Sequence, residues 1–218
     1  MGFTDDLSLV LDLLILVASV IFYTSVLVWF EFRRKDAARA NTHLREGATL
    51  MGLLGLVLGA FGVWGDMTWP LPASYNLFFF DAVIMMSLVL VAFAIAVHWR
   101  YPTHFVGMLS VIVGLGVAFY GVRAYQVGLT LDPWTTLLLY LAFAGMAIMA
   151  YPATLFIDWF VVGPTAPGAD PLPSPPIPNY PWLWRILLSI FLLTVFLAGL
   201  AAVGYGVDTV WGHLAAAP

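Results

Sequence analysis

Long apolar runs alternate with short polar segments along this chain, and each run is long enough to cross a lipid bilayer. A transmembrane helix needs about 20 mostly apolar residues. None of the runs alternates apolar and polar residues with a period of two, which argues against a transmembrane β-barrel. The pattern predicts an all-α, polytopic transmembrane bundle of six spans arranged as three helical hairpins, in a single domain covering residues 1–218. The predicted spans are about 8–30, 48–66, 76–98, 105–125, 134–160 and 183–207.

Composition places the chain in the same class. Charged residues make up 9% of the sequence and hydrophobic residues 62%. A soluble domain carries about 25% charged residues, because its surface must be hydrated. The eight basic residues offer no patch for nucleic acid. The sequence contains no cysteine, which excludes disulfides and thiolate metal sites. The expected partner is therefore the lipid bilayer.

The distribution of basic residues predicts how the bundle is oriented. Two connections are longer than the rest, a basic one at 31–47 and a proline-rich one at 163–181. Cytoplasmic loops carry an excess of Lys and Arg. Only Arg123 lies on the side of the second and fourth connections, so the first, third and fifth are predicted to be cytoplasmic and both termini to lie outside. The residues on the cytoplasmic side are Arg33, Arg34, Lys35, Arg39, Arg45, Arg100 and Arg185.

Small residues recur along one face of spans 2, 4 and 6. Their spacing keeps them on one side of a helix, and small side chains let helix backbones approach closely in lipid. We therefore expect these three spans to be the tightly packed inner helices. The faces consist of Gly52, Gly55, Gly59 and Gly62 in span 2, of Gly107, Ser110, Gly114 and Gly121 in span 4, and of Ala198, Ala201, Ala202 and Gly206 in span 6.

Ionisable residues at membrane depth are costly and therefore mark candidate functional sites. Those near the outer ends of the spans are Asp12, Asp66, Asp81, Arg123 and Asp208. One interpretation is that each is interfacial and hydrated, with Arg123 paired to an aspartate. The other is that the five converge on a cation, a proton or a polar ligand. Asp12 and Asp81 are the more informative two, because apolar residues surround both, and Asp81 also lies deeper in span 3 than a helix cap would.

A second group lies at the cytoplasmic ends of the spans and consists of His43, His98, His104 and Asp158. Histidines on facing helices can ligate haem, and histidine with carboxylate can bind a metal or relay protons. The spacing is not diagnostic, because histidines near the ends of spans can also hydrogen-bond loop carbonyls. No cofactor is therefore predicted, and haem b is the alternative. Pro152, inside span 5, is either a tolerated kink or a hinge.

The connection between spans 2 and 3 includes the sequence WGDMTWPLPASYNLFFFD, residues 64–81. Pro70 and Pro72 predict a stiff, extended turn. Successive helical residues are rotated by about 100°. At least one of the three phenylalanines at 78–80 is therefore expected to face lipid or a partner.

The same segment resembles a family of uncharacterised, predicted six-span membrane proteins of prokaryotes, largely archaea. In that family an aspartate often follows a glycine soon after the motif, whereas here Phe80 precedes Asp81. The resemblance implies a multi-pass protein of a prokaryotic plasma membrane, and it implies no activity. The residues that carry it are Trp69, Pro70, Leu71, Pro72, Tyr75 and Asn76.

Three classes of function remain open. The sequence has no phosphate-binding loop, nucleophile elbow or His-Glu-x-x-His motif, and an enzyme is not the expected class because the spans hold few polar groups. The leading hypothesis is a non-catalytic structural or accessory subunit, in a larger membrane complex or a homo-oligomer. One alternative is a small ion- or proton-coupled transporter or channel that uses the outer aspartates. The other is a haem- or quinone-binding redox subunit that uses the inner histidines.

Overall fold

The computed structural model describes residues 6–71, 74–130, 132–162 and 182–216. Within these ranges, side chains are described from residue 9 to residue 207, except at 74 and 162. The segment Ile157–Val162 continues α5 as a π-helix. The six α-helices are long and apolar enough to span a membrane, which confirms the predicted all-α, multi-pass class. They are α1 (Asp6–Arg33), α2 (Ala37–Thr68), α3 (Ser74–Trp99), α4 (His104–Val127), α5 (Pro133–Phe156) and α6 (Trp182–Ala216).

The first connection is much shorter than the basic loop predicted at 31–47. α1 ends at Arg33 and α2 begins at Ala37, so only residues 34–36 connect them. The carboxylate of Asp36 caps α2 by accepting a hydrogen bond from the backbone N–H of Arg39 at 2.9 Å. Residues 37–47 are polar but rich in good helix formers, and low hydropathy marks the end of the membrane span rather than the end of a helix. The proline-rich connection predicted at 163–181 lies outside the described residues.

At the other end of the bundle, helix caps mark where α2 and α4 end and where α5 begins. Trp69 and Gly128 end α2 and α4 in the left-handed conformation, with φ of 51° and 59°. Asp132 starts α5 by accepting from the backbone N–H of Thr135 at 3.2 Å, and Pro133 follows as the first helical residue. The Thr135 hydroxyl and N–H hold the pKa of the Asp132 carboxyl below its usual value, because both donate to the charged form.

The six helices close into a ring. Each packs against its neighbours in sequence, and α1 also packs against α6. We call the end of the ring with connections 34–36 and 100–103 the basic end, and the end with the turns after Trp69 and Gly128 the aspartate end. Trp184, near the start of α6, packs against Phe156 with ring centroids 6.1 Å apart, which places the start of α6 at the basic end.

The glycine faces of α2 and α4 make the predicted close approaches. A Cβ atom on Gly55 would lie 3.1 Å from the Ser87 carbonyl oxygen of α3, and one on Gly114 would lie 2.9 Å from the Ala144 carbonyl oxygen of α5. Contacts this short leave no room for a side chain, so α2 is sealed to α3 and α4 is sealed to α5 backbone against backbone.

The prediction that spans 2, 4 and 6 are the inner helices was wrong. The buried share of the spanning stretch is 50% in α5 and 44% in α3, against 39% in α2 and α4 and 28% in α6. The small faces draw α3 and α5 inward, and the larger side chains of α3 and α5 then fill the interior.

α5 runs through Pro152 without interruption to Phe156 and then changes to π geometry. Proline has no N–H, so the carbonyl of Ile148 lacks its usual partner four residues later. The irregular segment begins one turn beyond the proline, where α5 approaches the basic end. The hinge role of Pro152 stays a prediction.

Candidate functional site

A cavity of about 140 Å³ lies inside the ring, and all six helices contribute to its wall. It lies toward the basic end, because Trp29, Leu44 and Ile157 are among its lining residues. Each helix presents at least one side chain to it, including Ile21, Met51, Phe93, Ser110, Ala150 and Phe191.

The few polar groups in the cavity wall are hydroxyls. The Ser110 hydroxyl donates to the Ala147 carbonyl at 2.8 Å, and the Thr154 hydroxyl donates to the Tyr151 carbonyl at 2.8 Å. Their hydrogens therefore point at backbone oxygens and not into the cavity. Thr24 and Ser25 of α1 supply two further hydroxyls, and the rest of the wall is mostly aliphatic, aromatic and thioether, which is the usual lining of a site for an apolar ligand.

The sequence interpretation missed this cavity. Its clearest signal is the run Ala147, Ala150 and Ala153 on α5, where small residues at steps of three line the space. Such a stripe is indistinguishable in sequence from a helix-packing face like that of α4. The ring closure that turns the stripe into a cavity wall depends on α1 meeting α6, which no local pattern reports.

At the aspartate end, the hydroxyl of Tyr120 donates a hydrogen bond to Asp81 Oδ2 at 2.8 Å. Asp81 and Tyr120 therefore form one polar pair, which we call the Asp–Tyr pair. Oδ1 of Asp66 is buried and has no hydrogen-bond partner in the described part of the chain. The sequence interpretation missed Tyr120.

The other three residues of the predicted outer group are placed differently. Asp12 is exposed on α1, and Arg123 is exposed on α4, where it donates to the side chain of Gln126 at 3.4 Å. The side chain of Asp208 lies outside the described residues. The Asp–Tyr pair thus contains one of the five predicted residues, and no hydrogen bond or salt bridge joins it to the other four within the described part of the chain.

Hydrogen bonds of Tyr75 and Asn76, which follow the Trp-Pro-Leu-Pro sequence, hold the turn between α2 and α3 in place. Asn76 is fully buried, and its amide donates to the Gly65 carbonyl at 3.1 Å while its oxygen accepts from the Leu71 N–H at 3.3 Å. The Tyr75 hydroxyl donates to the Leu129 carbonyl and so links this turn to the one after α4. These motif residues hold the aspartate end together.

The three phenylalanines at 78–80 are all buried, so the prediction that one faces lipid was wrong. Phe78 stacks on Tyr140 of α5 with centroids 4.4 Å apart, and Phe80 packs against Phe61 of α2 at 5.9 Å. The start of α3 has neighbours on several sides, because α2 is sealed to it and α5 lies across the ring. The outward position at this level is taken by Leu77, which is exposed.

The family model described as "Protein of unknown function (DUF981)" matches residues 1–216. The chain belongs to the DUF981 family. This agrees with the expected resemblance to an uncharacterised family. No curated protein and no solved structure matches the chain.

The inner histidines of this DUF981 chain have separate partners. Nδ1 of His43 lies 3.2 Å from Glu46 Oε2 on the same helix, and Nε2 of His98 lies 2.9 Å from the Thr49 hydroxyl. Among the described residues, no group of three or more His, Cys, Asp or Glu side chains is arranged to hold a metal ion. Of the three predicted histidines, only His104 meets the predicted acid Asp158.

Asp158 caps α4 of the DUF981 chain from another helix. Its Oδ1 accepts from the backbone N–H and the hydroxyl of Thr103, each at 2.8 Å. Its Oδ2 accepts from the backbone N–H of His104 at 2.9 Å and lies 2.8 Å from Nδ1 of that residue. A carboxylate is stabilised at a helix N-terminus by the unpaired N–H groups and the helix dipole. The π-helical segment carrying Asp158 is thereby fixed to α4.

Proposed function

We propose that this protein is a non-catalytic membrane protein that binds a small apolar molecule in its central cavity. The observation that carries the proposal is the cavity itself, to which all six helices contribute lining residues. The chain is an integral membrane protein of a family whose role is unknown. In this proposal, the accessory role expected from the sequence consists of binding an apolar molecule.

The size and lining of the cavity select the kind of ligand. Its volume is about 140 Å³, and an engineered apolar cavity of about 150 Å³ in another protein stays dry and binds benzene or xenon. Water needs several polar partners to occupy a buried site. The hydroxyls of Ser110 and Thr154 donate to backbone carbonyls, and most of the other lining residues are apolar, which favours an apolar occupant.

The proposed setting is the plasma membrane of a prokaryote, with the basic end in the cytoplasm and both termini outside. The support is the positive-inside bias. Residues Arg33, Lys35 and Arg100 lie at the ends of α1 and α3, and Arg45 lies in the part of α2 that begins at the same end. Association with a larger membrane complex or with further copies belongs to the same proposal.

Xenon provides a direct test because it binds apolar cavities without specific polar contacts. Crystals of the protein pressurised with xenon are expected to show a xenon site bordered by Met51 and Ala150. Ala150→Leu should fill the space and abolish the site. Ala60→Leu, the same change on the exposed face of α2, should leave it intact. A wild-type cavity that takes up no xenon would overturn the proposal.

One observation favours a second candidate, a small ion- or proton-coupled transporter. Oδ1 of Asp66 is buried without a partner among the described residues, and a buried polar atom without a hydrogen bond is costly. A bound cation or proton would compensate it. Flux into liposomes should then fall in Asp66→Asn and Asp81→Asn, whereas Asp12→Asn, at an exposed position, should transport normally. Equal flux in all three variants would remove this candidate.

The redox alternative stays a prediction. It places haem b or a quinone at His43, His98 and His104, which the structure shows with three different partners. An absorption spectrum of the purified protein tests haem directly, since a Soret band is expected if haem is bound. Solvent extraction followed by chromatography tests for a quinone.

A further inference from the structure

We infer that the apolar molecule is the hydrocarbon chain of a membrane lipid, and that it enters the cavity sideways between α3 and α4. This inference rests on the proposed function and adds the ligand class and the route. It depends on three features of the ring, which are the depth of the cavity, its volume and the packing between α3 and α4.

The depth of the cavity matches the acyl region of the leaflet at the basic end. On α4 the lining runs from Val106 to Val113, and the helix begins at His104. With a rise of about 1.5 Å per residue, these positions lie roughly 3–14 Å along the helix from its start. The hydrocarbon core of one leaflet is about 15 Å thick, half of the whole core. Lipids of this leaflet therefore present their chains at the level of the cavity.

The volume of the cavity determines how a lipid would be held. A space of about 140 Å³ accommodates a molecule of roughly benzene size, which is much less than a complete lipid. Only a segment of one chain can be inside, and the rest of the lipid must stay in the bilayer. The proposal therefore requires that a hydrocarbon chain reach the cavity between two helices.

The contact between α3 and α4 is the least extensive of those between ring neighbours in the described part of the chain. We call this contact the seam between α3 and α4. Across it, a Cβ on Gly116 would lie 3.7 Å from Sδ of Met85, an ordinary contact distance. The sealed pairs are closer, as the 2.9 Å distance at Gly114 shows. Glycine contacts between α1 and α6 are also of ordinary length, 3.5 Å at Gly199, but those two helices contact each other more extensively.

Near both of its ends, the seam is held by a link between α3 and α4, and adaptable side chains lie between these two links. At the aspartate end the Tyr120–Asp81 hydrogen bond joins α4 to α3. At the basic end, residues 100–103 connect the two helices directly. Between these points, Met86 and Phe93 line the cavity from α3 and are only partly buried. Methionine side chains change rotamer readily, so a rotamer change at Met86 would widen the seam.

A phospholipid with a photoactivatable diazirine on its acyl chain tests the ligand class. The protein in nanodiscs containing this lipid is irradiated, and adducts are located by mass spectrometry. Adducts are expected on Met51 and Met146, which are buried and line the cavity from α2 and α5, as well as on the exposed Ile112. Ala150→Leu should lose the two buried adducts and keep the surface one, and Ala60→Leu should keep all three.

Cross-linking tests the route. The sequence has no native cysteine, so the reagent can react only with the cysteines that are introduced. The double variant Met85→Cys, Gly116→Cys is closed with a short thiol-reactive cross-linker before the labelled lipid is added. The matched closure across the other seam uses Ala18→Cys, Gly199→Cys with the same reagent. Closing α3–α4 should abolish the adducts on Met51 and Met146, and closing α1–α6 should not.

The outcomes separate the two proposals. Xenon in the cavity without buried lipid adducts would overturn the lipid assignment and leave the apolar site standing. Absence of both would overturn the two together. Loss of the buried adducts on closing α1–α6, with no loss on closing α3–α4, would show that the route is wrong.

Discussion

The hydroxyl of Tyr120 donates a 2.8 Å hydrogen bond to the carboxylate of Asp81, across 39 residues of sequence. It joins α4 to α3 near the aspartate end, at the pair of ring neighbours with the least extensive contact. Asp81 is therefore a link between helices, and its depth beyond the start of α3 follows from the position of its partner.

Tyr120→Phe is expected to destabilise the protein. The change removes the donor and leaves a partly buried carboxylate without that partner, which costs about 1–3 kcal/mol. Thermal unfolding in detergent should show a lower midpoint. Tyr125→Phe is the matched control, because the exposed Tyr125 ring packs on Trp134 and keeps this contact without its hydroxyl. Equal midpoints for the two variants would mean that the hydrogen bond contributes nothing.

Gly114→Ala should separate α4 from α5. The new methyl group would lie 2.9 Å from the Ala144 carbonyl oxygen, and a backbone atom cannot move aside as a side chain can. Overpacking of this kind costs about 1–3 kcal/mol. Gly204→Ala on α6 has nothing within 4 Å and should gain a little stability from the better helix propensity of alanine. Unfolding midpoints that shift in the same direction would contradict the close-approach interpretation.

Asp158→Asn should loosen the junction between α4 and the π-helical segment. An amide has one acceptor oxygen in place of two, so part of the network to Thr103 and His104 must be lost, at a cost of about 1–3 kcal/mol. Faster hydrogen exchange at the first turn of α4 is the expected signature. Glu46→Gln changes an exposed acid that contacts His43 and should alter neither exchange nor stability. Unchanged exchange in Asp158→Asn would rule out the capping role.

Asn76→Asp should disturb the turn between α2 and α3. The amide that donates to Gly65 becomes a carboxylate oxygen facing a carbonyl oxygen, inside a fully buried site. We expect a loss of about 1–3 kcal/mol, measured as a lower unfolding midpoint at neutral pH. Asn41→Asp makes the same change at a partly exposed position of α2 and should have little effect. A stable Asn76→Asp protein would show that the turn does not depend on this amide.

The spans were predictable because length and hydropathy are local properties, and the close glycine faces were predictable because small residues at helical spacing have one common use in lipid. Partners across the ring were not predictable in this way. Tyr120 resembles any interfacial tyrosine until Asp81 is placed beside it. Asp158 resembles an isolated acid until the start of α4 is brought to it.

The prediction of a connecting loop at 31–47 was wrong for a different reason. Hydropathy falls where the chain leaves the membrane, but α2 begins well before that point, at Ala37. The prediction for the phenylalanines at 78–80 failed because Leu77 takes the outward position at the start of α3 and all three phenylalanines are buried against neighbouring side chains. Both errors arise from treating a helix as if it stood alone.

The contact between α1 and α6 has a consequence for the order of assembly. These are the first and last helices of the chain, and domains are completed from the N-terminus during synthesis. The ring therefore stays open until α6 has been made and inserted. During that interval the side chains that will line the cavity border the bilayer directly, and lipid chains have free access to them. If the proposed lipid chain is the ligand, its first uptake is expected during biogenesis, and the seam between α3 and α4 would serve exchange in the finished protein.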